Sequence, residues 1–193
     1  GLSITGATGP GISCSGSAPT IRNCVVHHND GGGIGGNGHG AVIADCTVRD
    51  NDDSGIAWLG GSLLVVDSTV EGNLSALLGG GVTCGDAGLT MQGCKIRGNA
   101  TLGTGGLGGG GGILLYPGAA PASLNVELSD CDIESNSAGF GGGIALISPG
   151  LPDLNPSFTC VKCRVRNNYA EYTGGGIYAE LGTVVLKDGT IIS

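Results

Sequence analysis

Positive charge, aromatic rings and long apolar runs are all scarce in this chain of 193 residues. Lys and Arg number only 8 against 16 Asp and Glu, giving a net charge of −8. Nucleic-acid binding neutralises several phosphates with Lys and Arg, so no nucleic-acid partner is expected. An anionic membrane surface is disfavoured for the same reason. No run of about 18 apolar residues occurs, so no membrane-spanning helix is predicted. The opening segment, residues 1–13, has neither the basic region nor the apolar stretch of a signal peptide. Aromatics make up 4% and Pro occupies 7 positions, so a core of small aliphatic side chains is expected. The 42 Gly follow no G-X-Y period, which excludes collagen, and a hydrophobic content of 40% argues against disorder.

What the chain has is a repeat. One segment recurs as Cys24-Val-Val-His-His-Asn29, Cys46-Thr-Val-Arg-Asp-Asn51, Ser68-Thr-Val-Glu-Gly-Asn73, Cys94-Lys-Ile-Arg-Gly-Asn99, Cys131-Asp-Ile-Glu-Ser-Asn136 and Cys163-Arg-Val-Arg-Asn-Asn168. Each copy is followed by a Gly and an aliphatic residue: Gly33-Ile34, Gly55-Ile56, Gly81-Val82, Gly112-Ile113, Gly143-Ile144 and Gly176-Ile177. A third apolar position precedes the Cys column by three residues: Ile21, Ile43, Val65, Met91, Leu128 and Cys160.

The first copies are about 22 residues apart, within the solenoid range of roughly 20–45 and too short for two packed helices. Cys24 and Val26 alternate with Val25 and His27, the period of a strand. Stacking like positions at about 4.8 Å makes every strand parallel to its copy in the next coil. Parallel crossovers are overwhelmingly right-handed. The predicted fold is all-β: a right-handed parallel β-helix of seven to eight coils, with the pectate-lyase-like architecture, over residues 1–193. Longer loops are expected at about 100–112, 115–127 and 148–158, and they are the leading candidates for partner contacts.

The repeat runs to both ends without a polar cap. Leu2-Ser-Ile4 takes the Cys and Val columns at one end, and Gly189-Thr-Ile191 is expected in them at the other. The segment therefore reads as part of a longer solenoid, or as a unit stacking end to end on other copies.

Written out, the repeat resembles those of the bacterial polymorphic outer-membrane proteins and related autotransporter passengers. Their GGA[ILV] and FxxN tetrapeptides have counterparts here in Gly142-Gly143-Ile144 and Ile133-Glu-Ser-Asn136, with Val or Ile in place of Phe throughout. The resemblance implies a right-handed β-helix with an adhesive or structural role at a cell surface.

Two readings stand for the column Asn29, Asn51, Asn73, Asn99, Asn136 and Asn168. An inward amide ladder explains all six, whereas glycan attachment explains only Asn73 and Asn99, which lie in sequons. Cys24, Cys46, Cys94, Cys131 and Cys163 are read as small buried packing residues, with disulfides between adjacent coils as the alternative. Outward, His27 is followed by Arg49, Glu71, Arg97, Glu134 and Arg166, alternating in sign, with Asp132 and Arg164 as a second pair.

That charged face is where pectate-lyase-like proteins hold calcium and a basic catalytic residue. Asp45, Asp67 and Asp130, with Arg49, Arg97 and Lys95, are the candidates for such chemistry. They recur as columns, however, and no one coil gathers them. Asp50-Asn-Asp-Asp53 lacks the spacing of known calcium loops and reads as a solvated turn. His27, His28 and His39 show no triad or metal spacing. The expectation is thus a non-enzymatic extracellular adhesin, stalk, filament or surface-layer segment, its partner a carbohydrate or protein surface, with no cofactor or metal site assigned. A carbohydrate-active lyase or hydrolase, with calcium, is the alternative. An ice-binding face would need a sustained Thr column, and only Thr47, Thr69 and Thr190 are present.

Overall fold

The computed structural model describes residues 1–103, 108–117, 124–147, 156–180 and 182–193. Every regular element among the described residues is a β-strand, and every strand pairing is parallel. The strands stack as the coils of a β-helix.

The first sheet has eight strands, from Ser3–Ile4 through Val25–His27, Thr47–Arg49, Thr69–Glu71, Lys95–Arg97, Asp132–Glu134 and Arg164–Arg166 to Ile191–Ile192. The third is shorter: Leu74–Ser75, Ala100–Thr101, Ser137–Phe140 and Tyr169–Thr173. A twelve-stranded sheet forms the rest of each coil. Where two of its segments join without a break they make the 11-residue strands Ile56–Val66 and Val82–Gln92.

Alternation places Val26, Val48, Val70, Ile96, Ile133 and Val165 inward, and each is fully buried. Ile21, Ile43, Val65, Met91, Leu128 and Cys160 stack opposite them in register, and Leu186 extends that column by one coil. The single Trp is accommodated by a glycine. Trp58 is buried next to Gly36, and a Cβ on Gly36 would lie 2.2 Å from its ring. The fit leaves the buried Trp58 indole N–H without a hydrogen-bond partner, an uncommon condition for an interior donor.

Two sharp turns per coil are made by residues in the left-handed region, one column each. One precedes the Cys column: Asn23, Asp45, Asp67, Gly93, Asp130 and Lys162, with φ between 46° and 62°. The other precedes the Asn column: His28, Asp50, Gly72, Gly98, Ser135 and Asn167. Asn, Asp and Gly tolerate this conformation best, which accounts for their concentration there.

The end of the chain departs from the expected register. Arg164 pairs with Ile191 and Val165 with Ile192, so Thr190 rather than Gly189 joins the Cys column and Ile192 rather than Ile191 the Val column. The cause is one additional residue in the turn after Leu186, where Asp188 and Gly189 both adopt positive φ. The expected loops also narrow. Ala100–Thr101, Asn125–Ser129 and Ser157–Val161 are strands, and the rest of the three expected loops lies in large part outside the described residues.

Candidate functional site

The first sheet presents the charged columns outward and is bounded by the two turn columns. Behind its turn the Asn side chains form a continuous ladder. The Nδ2 of Asn29 donates to Oδ1 of Asn51 at 2.9 Å, Asn51 to Asn73 at 2.8 Å, and Asn73 to Asn99 at 2.9 Å. Asn99 donates to Asn136 at 3.1 Å and Asn136 to Asn168 at 3.0 Å. The second Nδ2 hydrogen of each goes to the carbonyl of the Val column one coil back, as in Asn99 to Val70 at 2.9 Å. Each Oδ1 from Asn51 onward also accepts the preceding Asn backbone N–H, as in Asn73 to Asn99 at 3.1 Å, and the Asn29 Oδ1 accepts the Ala7 N–H. Both ends of every interior amide are thereby saturated.

The ladder explains the neighbouring Gly column. A Cβ on Gly143 would lie 2.5 Å from the Gly176 carbonyl oxygen and 2.9 Å from Asn168 Nδ2, and one on Gly112 would meet Gly143 and Asn136 as closely. Only a residue without a side chain lets the backbone pass this near the amides. Glycosylation does not fit this arrangement. Asn73 and Asn99 are buried and both their amide hydrogens are engaged, so a glycan on Nδ2 would break the ladder and have no route to solvent.

The Cys column is also a turn device. Cys24, Cys46, Cys94, Cys131 and Cys163 each donate S–H to the carbonyl two residues earlier, across the left-handed residue. Ser68 does the same through its hydroxyl at 2.8 Å and also accepts the Cys46 N–H. Thr190 reaches Lys187 at 2.8 Å and accepts the Cys163 N–H. All eight cysteines are free thiols. Burial pushes the Cys84 thiol up to about 12 and also raises Cys46. The Cys131 thiol is raised by contact with the thiols of Cys163 and Cys94, and by burial.

On the outer surface the charge column resolves into separate pairs. Arg97 binds Glu71 and Arg166 binds Glu134, both at 2.7 Å, while Arg49 turns to its own neighbour Asp50. Arg164 grips both carboxylate oxygens of Asp132, at 2.5 and 2.8 Å. That fork holds the Asp132 carboxyl below its ordinary range and raises Arg164. Between the first two pairs lies an open groove of about 350 Å³ lined by Asp50, Glu71, Arg97, Glu134 and Ser135.

Asp45, Asp67 and Asp130 do not converge on this groove; they occupy the other turn column, where positive φ dictates the residue type. Among the described residues no three His, Cys, Asp or Glu side chains come together as metal ligands. The structure does assemble a constellation that sequence spacing hides. Ser3 Oγ lies 2.9 Å from His27 Nε2, and His27 Nδ1 lies 2.7 Å from His28 Nδ1. Ser3 and His27 meet because their strands are adjacent and the two side chains sit on one diagonal of the sheet. Both contacts are exposed on the sheet surface.

Residues 1–120 match the model of a family described as right-handed β-helix region. The chain belongs to that family, and its coils wind right-handed. No curated protein and no solved structure matches it.

Proposed function

We propose that this chain is a length of structural and adhesive β-solenoid that works outside the cell without catalysing a reaction. The observation that carries the reading is that the recurring polar and charged columns serve the repeat. The Asn and Cys columns bond the turns, the Asp residues of the turns supply left-handed backbone, and the Arg residues of the charged face pair with carboxylates. In this role the stacked coils supply rigid extension, and the faces and loops meet a carbohydrate or protein surface. The likeness of its repeats to those of autotransporter passengers and polymorphic outer-membrane proteins supports a place at a cell surface, in an adhesin, stalk, filament or surface layer.

The groove along Glu71, Arg97 and Glu134 favours a second reading, a carbohydrate-active β-helix with calcium as a candidate cofactor. One experiment separates the two. The purified chain is incubated with polygalacturonate and with alginate, with and without calcium, and new reducing ends and unsaturated uronides are measured. The structural reading expects no turnover but retention of the chain on an immobilised polysaccharide or protein ligand. Turnover above that of a heat-denatured control would overturn it.

A further inference from the structure

The eight thiols are not scattered. Six of them fall into two runs of neighbours, and the interruption between the runs is the one Ser of the column. Cys24 and Cys46 occupy consecutive coils, since Thr47 N–H donates to the Cys24 carbonyl and Val25 pairs with Thr47. Ser68 follows. Cys94, Cys131 and Cys163 then occupy three consecutive coils, with Asp132 N–H on Cys94 and Arg164 N–H on Cys131. Cys163 also touches Cys160, three residues back across the turn at Lys162. The second run is therefore an unbranched line, Cys94 to Cys131 to Cys163 to Cys160.

Stacked coils stand about 4.8 Å apart, inside the Cα separation of roughly 4.4–6.8 Å that a disulfide tolerates. A line of four thiols has one complete pairing. Joining the middle two strands both outer ones; joining each end to its neighbour leaves none. Cys14 and Cys84 stand apart, since Gly36 and Trp58 fill the two coils between them in their column.

We infer that this chain, folded with an oxidant, closes three disulfides, Cys24–Cys46, Cys94–Cys131 and Cys160–Cys163, and leaves Cys14 and Cys84 as thiols. Each closure is a thiol–disulfide exchange with a small dialkyl disulfide such as oxidised glutathione. Two protein thiols lose two protons and two electrons and form one S–S bond, and the glutathione disulfide is reduced to two thiols. The exchange takes place during folding, before the column is covered. It costs little of the native bonding, because the S–H donors given up are weak. The outcome is a solenoid riveted coil to coil at two heights, with one rivet across a single turn. This inference rests on the adjacency of the thiols and stands whether the chain is adhesive or catalytic.

The test is refolding of the full chain in a glutathione redox buffer, followed by unfolding in guanidinium chloride with excess iodoacetamide present and mass spectrometry without reduction. The expected product carries two carbamidomethyl groups, on Cys14 and Cys84, and yields the three named cross-linked peptides on digestion. A dominant Cys131–Cys163 cross-link, or eight alkylated thiols, overturns the inference. Cys131→Ser gives an independent reading, since Ser and Thr already occupy this column. It is expected to keep Cys160–Cys163 and to free Cys94. Loss of the Cys160–Cys163 bond in that variant, with far-UV circular dichroism unchanged, also overturns it.

Discussion

Removal of one rung from the middle of the Asn ladder offers the most direct measure of what holds the coils together. In Asn99→Ala, Asn73 loses the acceptor for both its backbone N–H and its side-chain amide, and the Val70 carbonyl loses a donor. Asn136 Oδ1 keeps the Asn99 backbone N–H but loses the amide. Two buried donors are thus orphaned, at about 1–3 kcal/mol each. The cost is therefore about 2–6 kcal/mol, a large share of the roughly 5–15 kcal/mol that stabilises a typical domain. Asn168→Ala is the internal control. Asn168 is only half-buried and closes the ladder, so water can reach the groups it leaves. Urea melts followed by circular dichroism should rank the variants wild type, Asn168→Ala, Asn99→Ala in falling midpoint. A loss below about 1 kcal/mol for Asn99→Ala would refute the reasoning, because buried donors left without partners cannot be that cheap.

Other perturbations test the remaining columns. Gly143→Ala drives a Cβ into the Gly176 carbonyl and Asn168 amide and should cost at least about 1–3 kcal/mol, read as a lower thermal midpoint. In the reduced protein Cys94→Ser should fall within about 1.5 kcal/mol of wild type, because Ser68 already fills the same role; Cys94→Val, which deletes the donor to Gln92, should fall further. Expression in a glycosylating secretory host should leave Asn73 and Asn99 bare in the folded protein, and glycopeptides at either site would contradict the buried ladder. Asp132→Asn should change stability by no more than about 1 kcal/mol, since the pair is exposed. The folded pKa of Asp132 is depressed, so its contribution is present above the ordinary carboxylate pKa and fades as pH falls through the lowered value. The difference between wild type and Asp132→Asn should therefore vanish in acid.

Much of the fold was legible because the repeat keeps three columns in phase. Val26, Val48 and Val70 recur at fixed distance from Asn29, Asn51 and Asn73, and one period of alternation settles which face they take. The turns were harder to read. Asp45, Asp67 and Asp130 stand in the sequence as carboxylates aligned for a cation, yet their common property is positive φ. The clue was present, since Asn23 and Gly93 share the column and neither is acidic. The extra residue before Thr190 could not be found from Gly189-Thr-Ile191 alone, because Ile191 and Ile192 satisfy the Val column equally well. Pairing among the charges was beyond sequence for a different reason. Arg97 stands between Glu71 and Glu134, and side-chain geometry makes the choice. The meeting of Ser3 with His27 depends on a diagonal between coils, which no local spacing encodes.

The amide ladder also has a direction. Every Nδ2 points to the Oδ1 of the following coil, so its dipoles align along the axis and polarise one another. The two ends of the ladder are therefore chemically unlike: Asn29 presents an amide oxygen toward the first coil, and Asn168 an amide N–H toward the last. In this chain the ladder starts against a coil without an Asn: Ala7 stands at the ladder position, and its backbone N–H caps the Asn29 Oδ1 at 3.1 Å.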